Sequence, residues 1–294
     1  MSTGPETSSP EPRRAGRAPW NTIVGVAIVI VVVVSLSASV IFALSYKNGS
    51  APNTLPTTPN PHFAIGTRDA SEPSGFAPPP ATVSGYSSVY VADFNGSTLP
   101  PGWNVYSGHP GGDPGAQFGI RHVVVEHGLL ELNTWKDPQY QNRWVTGGLC
   151  QCGLDRKYGA YYVRSRVTGP GPNSVELLWP SDNSWPPEID FNENGGKIDS
   201  TSATIHWSPI DQIEQRHLVI NMLKWHTWGV IWTPSSVTFV VDGYVWGKIT
   251  NAEEVTHRAM NLDLQQVAMC NLGRQCPTHR VSMLVDWVAE YKAT

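Results

Sequence analysis

Short runs of β-branched and aromatic residues, separated by turn residues, dominate the chain from about residue 88 onward, and few stretches look helical. Turn signals connect several of them: Asp242-Gly243 follows one run, and Gly128 precedes another. Many closely spaced strands without alternating helices predict an all-β fold of two antiparallel sheets packed as a sandwich. The predicted strands are residues 89–91, 122–125, 129–132, 161–167, 174–178, 204–207, 227–232, 237–241 and 284–288.

One further stretch that reads as a strand carries three carboxylates, in the run E-I-D-F-N-E that starts at Glu188 and follows two prolines. Side chains alternate between the faces of a strand, so Glu188 and Asp190 share a face. Glu193 would point the other way unless one extra residue is inserted. A β-bulge at Phe191-Asn192 would supply that residue. The spacing therefore predicts three acids side by side on one face of a bulged strand.

Paired carboxylates of this kind can perform acid–base and nucleophilic chemistry on a sugar. With the bulge, the Cα atoms of Glu188 and Glu193 lie roughly 13 Å apart, and inward-leaning side chains could reach the ~5–5.5 Å separation of a retaining glycosidase. Glu188 should then stay ionised and attack, Glu193 should stay protonated and donate, and Asp190 should hydrogen-bond to Glu188. The alternative is a solvated acidic strand face. Nearby aromatic residues favour a saccharide cleft instead.

The amino-terminal part of the chain has a different character. Residues 23–44 are uncharged and mostly apolar, long enough at ~1.5 Å per residue to cross a ~30 Å hydrocarbon core. Three arginines at residues 13–17 precede this stretch and only Lys47 follows it, so residues 1–22 are predicted to be cytoplasmic and the bulk extracellular. The prediction is a single-pass type II anchor in the cell membrane. A secretory signal cleaved near residues 43–45 is the alternative, although its apolar core would exceed the usual ~7–15 residues.

Between this segment and the predicted strands, residues 45–87 are rich in Pro, Ser, Thr, Gly and Ala. Such a composition predicts a disordered linker with a typical reach of roughly 35–40 Å. Residues 88–294 are then expected to form one folded extracellular domain.

The overall charge limits the partners. A formal net charge of −4 and a pI near 6.1 offer no basic surface for nucleic acid. Twelve tryptophans and ten tyrosines, with 15% charged residues, suit a β-rich secreted domain with a sugar-facing cleft. A monomer acting on a neutral polysaccharide is expected.

The chain has four cysteines, Cys150, Cys152, Cys270 and Cys276, all in the predicted extracellular part, where disulfides persist. A Cys-x-Cys bond is geometrically awkward. Two pairings therefore stay open: Cys270 with Cys276, or both earlier cysteines with the later pair. A zinc site is the alternative, but the Cys-x-Cys spacing does not suit it, and only His279 is near these cysteines in sequence.

Taken together, the motifs from Asp93 to Tyr291 resemble glycoside hydrolase family 16. Besides the acidic run, the similar segments follow in the family's order: Y-G at 158–159 leading into Y-Y-V-R-S-R at 161–166, W-H-T-W-G-V-I-W-T-P at 225–234, V-D-G at 241–243 and V-D-W-V-A-E-Y at 285–291. The resemblance implies a β-jelly roll with an open, endo-acting cleft and retention of anomeric configuration.

The resemblance also implies roles for the three acids. Glu188 corresponds to the nucleophile, Asp190 to the assisting acid and Glu193 to the general acid/base. Two residues between Asp190 and Glu193 are similar to the bulged, laminarinase-like branch, which favours β-1,3-glucan as substrate. Asn192 is a departure, because laminarinase-like members often carry an apolar residue such as Met there. An amide at this place is expected to alter the hydrogen bonding of Glu193.

Six other residues are candidate substrate contacts. Trp185 is a candidate stacking platform, with a core role as the alternative, and His206 either faces the cleft or is structural. The six are Trp179, Trp185, His206, Trp207, Asn261 and Gln265. No cofactor and no catalytic metal is expected. A structural calcium away from the cleft is left open, since many family members carry one, although no EF-hand loop or dense cluster of oxygen ligands stands out here.

The function expected from these features is a membrane-anchored extracellular endo-β-glucanase. A transglycosylase would use the same acids and differ only in what intercepts the glycosyl-enzyme intermediate. A non-catalytic carbohydrate-binding or sensing protein on the same scaffold typically loses the paired glutamates, so Glu188 and Glu193 argue against it. A wall-anchoring structural protein would retain glycan without turnover.

Overall fold

The computed structural model describes residues 55, 59–110, 115–272, 274 and 276–294. Within these ranges no helix is long and apolar enough to cross a bilayer. The predicted membrane span at residues 23–44 and the predicted cytoplasmic tail at residues 1–22 lie outside them, so both stay predictions.

Regular structure in the described ranges consists of strands and three short 3-10 helices, Ile120–His122, Pro138–Tyr140 and Met269–Leu272. The strands are β1 (Thr67–Arg68), β2 (Phe76–Ala77), β3 (Thr82–Val83), β4 (Tyr86–Ala92), β5 (Asn104–Val105), β6 (Gln117–Phe118), β7 (Val123–Glu126), β8 (Leu129–Asp137), β9 (Arg143–Thr146), β10 (Gly148–Cys150), β11 (Gly159–Val167), β12 (Asn173–Pro180), β13 (Glu188–Glu193), β14 (Ser200–Trp207), β15 (Gln212–Val219), β16 (His226–Thr233), β17 (Ser236–Val241), β18 (Tyr244–Ile249), β19 (Met260–Val267) and β20 (Val281–Ala293).

Every strand predicted from the pattern coincides with an observed one, and both turns are confirmed. Asp242 and Gly243, with φ of 49° and 81°, connect β17 to β18. His127 and Gly128, with φ of 55° and 74°, connect β7 to β8. Positive φ at both central residues is what a two-residue hairpin turn requires, and glycine adopts it at no steric cost.

The strands form two large sheets, which confirms the predicted all-β sandwich. The smaller sheet has seven strands in the order β15-β14-β13-β12-β19-β10-β5. The larger sheet runs β18-β17-β16-β11-β20-β8-β9-β6, with β3, β4 and β7 joined beside this path. Neighbouring strands are antiparallel in both sheets, except that β6 and β9 are parallel.

The main core lies between the two sheets and determines which face of each strand is outward. Ile189 and Phe191 of β13 are fully buried in it, together with Trp228 and Val230 of β16. Because side chains alternate along a strand, the residues of β13 beside Ile189 face outward. We call this outward face of the seven-stranded sheet the site face.

A second apolar cluster covers the outer face of the larger sheet. It shows that the prediction of a disordered linker is wrong for part of that segment. Residues 59–87 pack against that sheet instead of forming a free linker. The Phe76 carbonyl accepts a hydrogen bond of 2.8 Å from the Trp287 indole, and the Pro80 carbonyl accepts one of 2.9 Å from the Tyr291 hydroxyl. A segment poor in large apolar side chains is therefore ordered by the polar ends of buried aromatics. The folded domain begins well before residue 88.

Two disulfides are formed. Cys270 bonds to Cys276, one of the two pairings predicted. Cys150 bonds to Cys152, which corrects the expectation that a Cys-x-Cys bond is too awkward. Cys150 ends β10 and the chain turns immediately after it, so the Cα atoms of the pair lie 5.1 Å apart, within the span of a disulfide.

Candidate active site

The acidic run contains the predicted bulge. Asp190 pairs with Thr204 of β14 and Glu193 pairs with Ser202, so Phe191 and Asn192 together oppose the single residue between those partners. The extra residue restores Glu193 to the face that carries Asp190. Glu188, Asp190 and Glu193 consequently all lie on the site face, and both glutamates are partly exposed.

Glu188 is held by the tryptophan that precedes the two prolines. The indole Nε1 of Trp185 donates a hydrogen bond of 2.7 Å to the Glu188 carboxylate. Trp185 is 42% exposed, so it is not a core residue, and its ring centroid lies 5.7 Å from that of His206. An exposed indole fixed beside a carboxylate offers a surface for the apolar face of a sugar.

His206 connects Asp190 to a second acid. Its Nε2 lies 3.4 Å from Asp190, and its Nδ1 lies 2.7 Å from Asp211. Burial alone would lower the pKa of His206, but the hydrogen bonds to these two carboxylates and the charge of Glu188 raise that pKa well above 6.5. The surrounding carboxylates therefore favour the imidazolium form of His206. Asp190 faces this cation rather than forming the predicted hydrogen bond to Glu188.

Glu193 is oriented from the other side. The Asn173 amide donates a hydrogen bond of 2.9 Å to Glu193, and its carbonyl oxygen accepts one of 2.7 Å from the Gly195 backbone. This amide joins the end of the acidic strand to β12. Burial raises the pKa of Glu193, and the charge of the nearby Arg274 guanidinium partly opposes this rise.

The pKa values of both glutamates are raised. Burial raises the pKa of Glu193 and raises that of Glu188 well above its usual value, and the charge of Asp190 adds to both shifts. Like charges this close cannot all be present at once, and one carboxyl of the group retains a proton.

Three residues of this site are close enough together to be considered as ligands of a metal ion. Glu188, Asp190 and His206 each offer one ligand atom, all within 4.8 Å of one another. An imidazolium has no free nitrogen lone pair for a cation, and Nδ1 of His206 already contacts Asp211. The geometry fits an ion-paired acid cluster better than a metal centre. The structural calcium left open above stays a prediction.

The strand register places three other candidate contacts on the site face. Trp179 of β12 pairs with Asn261 of β19, and Gln265 pairs with Val175, which is itself paired with Glu193. Asn261 is buried and donates its amide hydrogen to the Asp263 carboxylate. Gln265 and Trp179 are partly exposed.

Trp207 has a different position from the one predicted. It follows His206 and lies on the opposite face of β14, where it packs against the core. A one-residue step along a strand reverses the face, so the two neighbours cannot both line the site. The structure gives no support for Trp207 as a substrate contact.

Several polar residues near the acids were not predicted from the sequence. The hydroxyl of Tyr106 donates a hydrogen bond to Asp263, and burial raises the pKa of that carboxyl to about 7. Asp211, Asn173 and Arg274 likewise come from segments far from the acidic run. Nothing in their local sequence marks them, because only strand pairing and loop packing bring them to the site.

A family model described as glycosyl hydrolases family 16 matches residues 118–289, more than half of the chain. The chain belongs to glycosyl hydrolase family 16. Family 16 membership confirms the resemblance and the classification as a glycoside hydrolase. The matched region includes the whole acidic run.

Individual relatives agree with this assignment. The glucan endo-1,3-beta-glucosidase A1 of Niallia circulans is 25% identical over 244 residues, which are 70% of this chain and 35% of that protein. The endo-1,3-1,4-beta-glycanase ExsH of Rhizobium meliloti is 27% identical over 177 residues, which are 54% of this chain and 38% of that protein. This family 16 chain thus spans little more than a third of the length of these relatives.

The fold has solved counterparts. The laminarinase from Rhodothermus marinus superposes with a TM-score of 0.65 at 17% sequence identity, covering 71% of this chain and 98% of that one. At such low identity the match shows the fold alone. It confirms the jelly-roll-like sandwich expected of family 16.

Proposed function

We propose that the protein is a retaining endo-β-1,3-glucanase in which Glu188 is the nucleophile and Glu193 the general acid/base. The bulge carries this proposal, because it turns Glu193 onto the accessible face that already holds Glu188 and Asp190. The preference for β-1,3 bonds is supported by the names of the relatives, a glucan endo-1,3-beta-glucosidase and an endo-1,3-1,4-beta-glycanase.

In the first step the glycosidic oxygen takes a proton from Glu193 while Glu188 attacks the anomeric carbon. The bond to the leaving sugar breaks and a glycosyl ester forms on Glu188. In the second step Glu193, now a carboxylate, removes a proton from water, which attacks the same carbon and releases Glu188. Two displacements on one carbon retain its configuration.

Electrostatics supports the change of Glu193 from acid to base. Burial and, after it, the charge of Asp190 raise the pKa values of Glu188 and Glu193, and the charge of Glu193 raises that of Glu188 further. When Glu188 becomes an ester its negative charge disappears, so the pKa of Glu193 falls. The fall suits a group that must now accept a proton. His206, whose Nε2 lies 3.4 Å from Asp190, holds that side chain in place throughout.

We further propose that residues 23–44 anchor the protein in the cell membrane, with residues 1–22 in the cytoplasm and the hydrolase domain outside. The run of uncharged residues and the arginines before it support this placement. Two disulfides suit an oxidising exterior. Membrane fractionation of the full chain, followed by protease treatment of intact cells, tests the topology. Release of the whole domain into the medium would favour the cleaved alternative.

Product analysis tests the activity. The segment Asn48–Thr294 is incubated with laminarin, mixed-linkage glucan and agarose, beside the Glu188→Gln variant. Short β-1,3-oligosaccharides from the wild type alone are expected, with the anomeric configuration retained when products are followed by proton NMR. Products longer than the starting chains would instead indicate a transglycosylase. Binding without turnover on every glycan would overturn the β-glucanase proposal.

A further inference from the structure

A group of hydrogen-bonded polar side chains lies in the core behind the bulge. The Ser165 hydroxyl donates to the Glu176 carboxyl, and the Thr201 hydroxyl donates a hydrogen bond of 2.6 Å to the Asn192 amide oxygen. Asn192 lies directly opposite Glu176 in the paired strands β13 and β12. All four residues are at most 3% exposed. We call them the bulge network.

The bulge network joins both sheets to the inserted residue. Ser165 is on β11 of the larger sheet, while Glu176 on β12 pairs directly with Asn192. Asn192 belongs to the bulge and immediately precedes Glu193. Its side chain points into the core, whereas that of Glu193 points to the site face. The conformation of the bulge thus depends on what holds Asn192 from behind.

Stability alone does not account for a carboxyl in this place. Glu176 is fully buried, and its Oε2 has no hydrogen bond of ordinary geometry. A buried polar atom left this way destabilises the fold, and an apolar residue of similar volume would avoid that loss.

We propose that Glu176 is a positioning residue, which through Asn192 fixes the bulge and with it the direction of the Glu193 carboxyl. The part that concerns turnover rests on the proposed function. The effect of Glu176 on the position of Glu193 does not rest on that function, because this effect follows from the contacts within the bulge network.

The charge state of Glu176 agrees with this role. Burial raises its pKa to about 8, opposed only by hydrogen bonds with Ser165 and Asn192. The groups beside it are Ser165 from β11, Asn192 from β13 and the apolar partner Leu264 from β19, so no charged group faces it among the described residues. Near neutral pH Glu176 is an uncharged acid that can both donate and accept.

Variants of the complete chain separate positioning from general packing. Glu176→Leu removes the carboxyl, and Glu176→Gln keeps its shape and most of its hydrogen bonds. Ser165→Ala removes one bond of the bulge network, and Ser282→Ala is its matched control. Ser282 is also a buried serine of the larger sheet, but its hydroxyl donates to Asn133, away from the bulge.

Hydrolysis of laminarin is measured for each variant. Glu176→Leu is expected to lower kcat by about tenfold or more with KM within about twofold, since misplacing a catalytic group by a fraction of an ångström acts on the reacting state. Glu176→Gln should restore kcat to within about threefold, and Ser165→Ala should fall between them. An equal loss of kcat in Ser282→Ala and Ser165→Ala would show general loosening of the sandwich and overturn the proposal.

A measurement without substrate tests the effect of Glu176 on Glu193 independently of turnover. The Glu193 carboxyl is titrated by carbon-13 NMR and assigned with Glu193→Gln. In Ser165→Ala and Glu176→Leu its midpoint should move by about half a pH unit or more, with no movement in Ser282→Ala. If the wild type cleaves no β-glucan, the proposed function fails while this titration still decides on Glu176. An unmoved Glu193 titration in Ser165→Ala, a mild change that leaves the fold intact, overturns the proposal.

Discussion

Two histidine–aspartate pairs of this protein have histidine pKa values that are shifted in opposite directions. In the active site, His206 lies between Asp190 and Asp211, and its pKa is raised well above 6.5. On the larger sheet, His122 lies 3.1 Å from Asp137 and stacks on an indole, and its pKa is lowered.

The difference is in the neighbours, not in burial. Burial lowers the pKa of both histidines. Beside His122 the single carboxylate also binds Arg121, whose charge lowers the pKa of the imidazole further. Beside His206 the hydrogen bonds with Asp190 and Asp211, together with the charges of Glu188 and Asp190, outweigh burial. A buried histidine is therefore charged when the carboxylates around it outnumber the other cations, and an excess of carboxylates is what the proposed reaction requires.

The largest expected effect is a loss of kcat, which should occur for a variant in the active site and not for one in the His122–Asp137 pair. Glu188→Gln should lower kcat on laminarin by about 10⁴-fold or more with little loss of glycan binding, because an amide cannot attack the anomeric carbon. Asp137→Asn, on the larger sheet, should leave kcat per folded molecule within about twofold. Stopped assays and binding isotherms measure both quantities. A Glu188→Gln enzyme with wild-type turnover would show that another residue is the nucleophile.

A smaller loss is expected when one carboxylate beside His206 is removed. Asp211→Asn should lower the pKa of His206, weaken its contact with Asp190 and reduce kcat/KM by about tenfold. NMR titration of the imidazole follows the first effect and laminarin kinetics the second. The control is Asp242→Asn, which removes a carboxylate 2.6 Å from His226 on the larger sheet. Equal effects of the two variants on kcat/KM would remove the distinction between the regions.

The His122–Asp137 pair should affect the free energy of unfolding instead of turnover. Although burial acts against it, hydrogen bonding with Arg121 and His122 lowers the pKa of Asp137 to about 2. A lowered carboxyl pKa stabilises the fold above the unfolded value of about 3.8, and this contribution is lost as pH falls towards 2. Asp137→Asn should therefore lower the free energy of unfolding by about 3 kcal/mol at pH 7. Denaturant titrations at pH 7 and pH 2.5 check that the gap to wild type narrows in acid.

The smallest effect is a pair of opposite pH slopes. The raised pKa of His206 stabilises the fold below pH 6.5, and this contribution is lost as pH rises through the folded value. The lowered pKa of His122 stabilises the fold above pH 6.5, and this is lost as pH falls. The Tm gap to wild type should thus shrink with rising pH for His206→Gln and with falling pH for His122→Gln, by a few degrees each. Slopes of the same sign would refute the assigned charge states.

The bulge shows how far a local pattern reaches. Strand alternation alone places Glu188 and Asp190 on one face, and the two residues before Glu193 call for an inserted residue if all three acids are to work together. The structure has that bulge. The same rule puts His206 and Trp207 on opposite faces of β14, although both had been considered substrate contacts.

Residues 59–87 show where composition misleads. Their proline, serine and glycine content is typical of a disordered segment, yet carbonyl groups within them accept hydrogen bonds from the buried Trp287 and Tyr291. Those partners lie more than 200 residues further along the chain. No feature of the local sequence predicts such hydrogen bonds.

The sequence by itself determined the sandwich, the acidic strand and its bulge, because alternation and turn chemistry act between residues close in the chain. Tertiary structure alone decided which groups surround those acids: Asn173 on Glu193, Asp211 on His206 and Glu176 behind the bulge. The charge of each buried group depends on the neighbours that strand register brings to it, and register is a property of the assembled sheets.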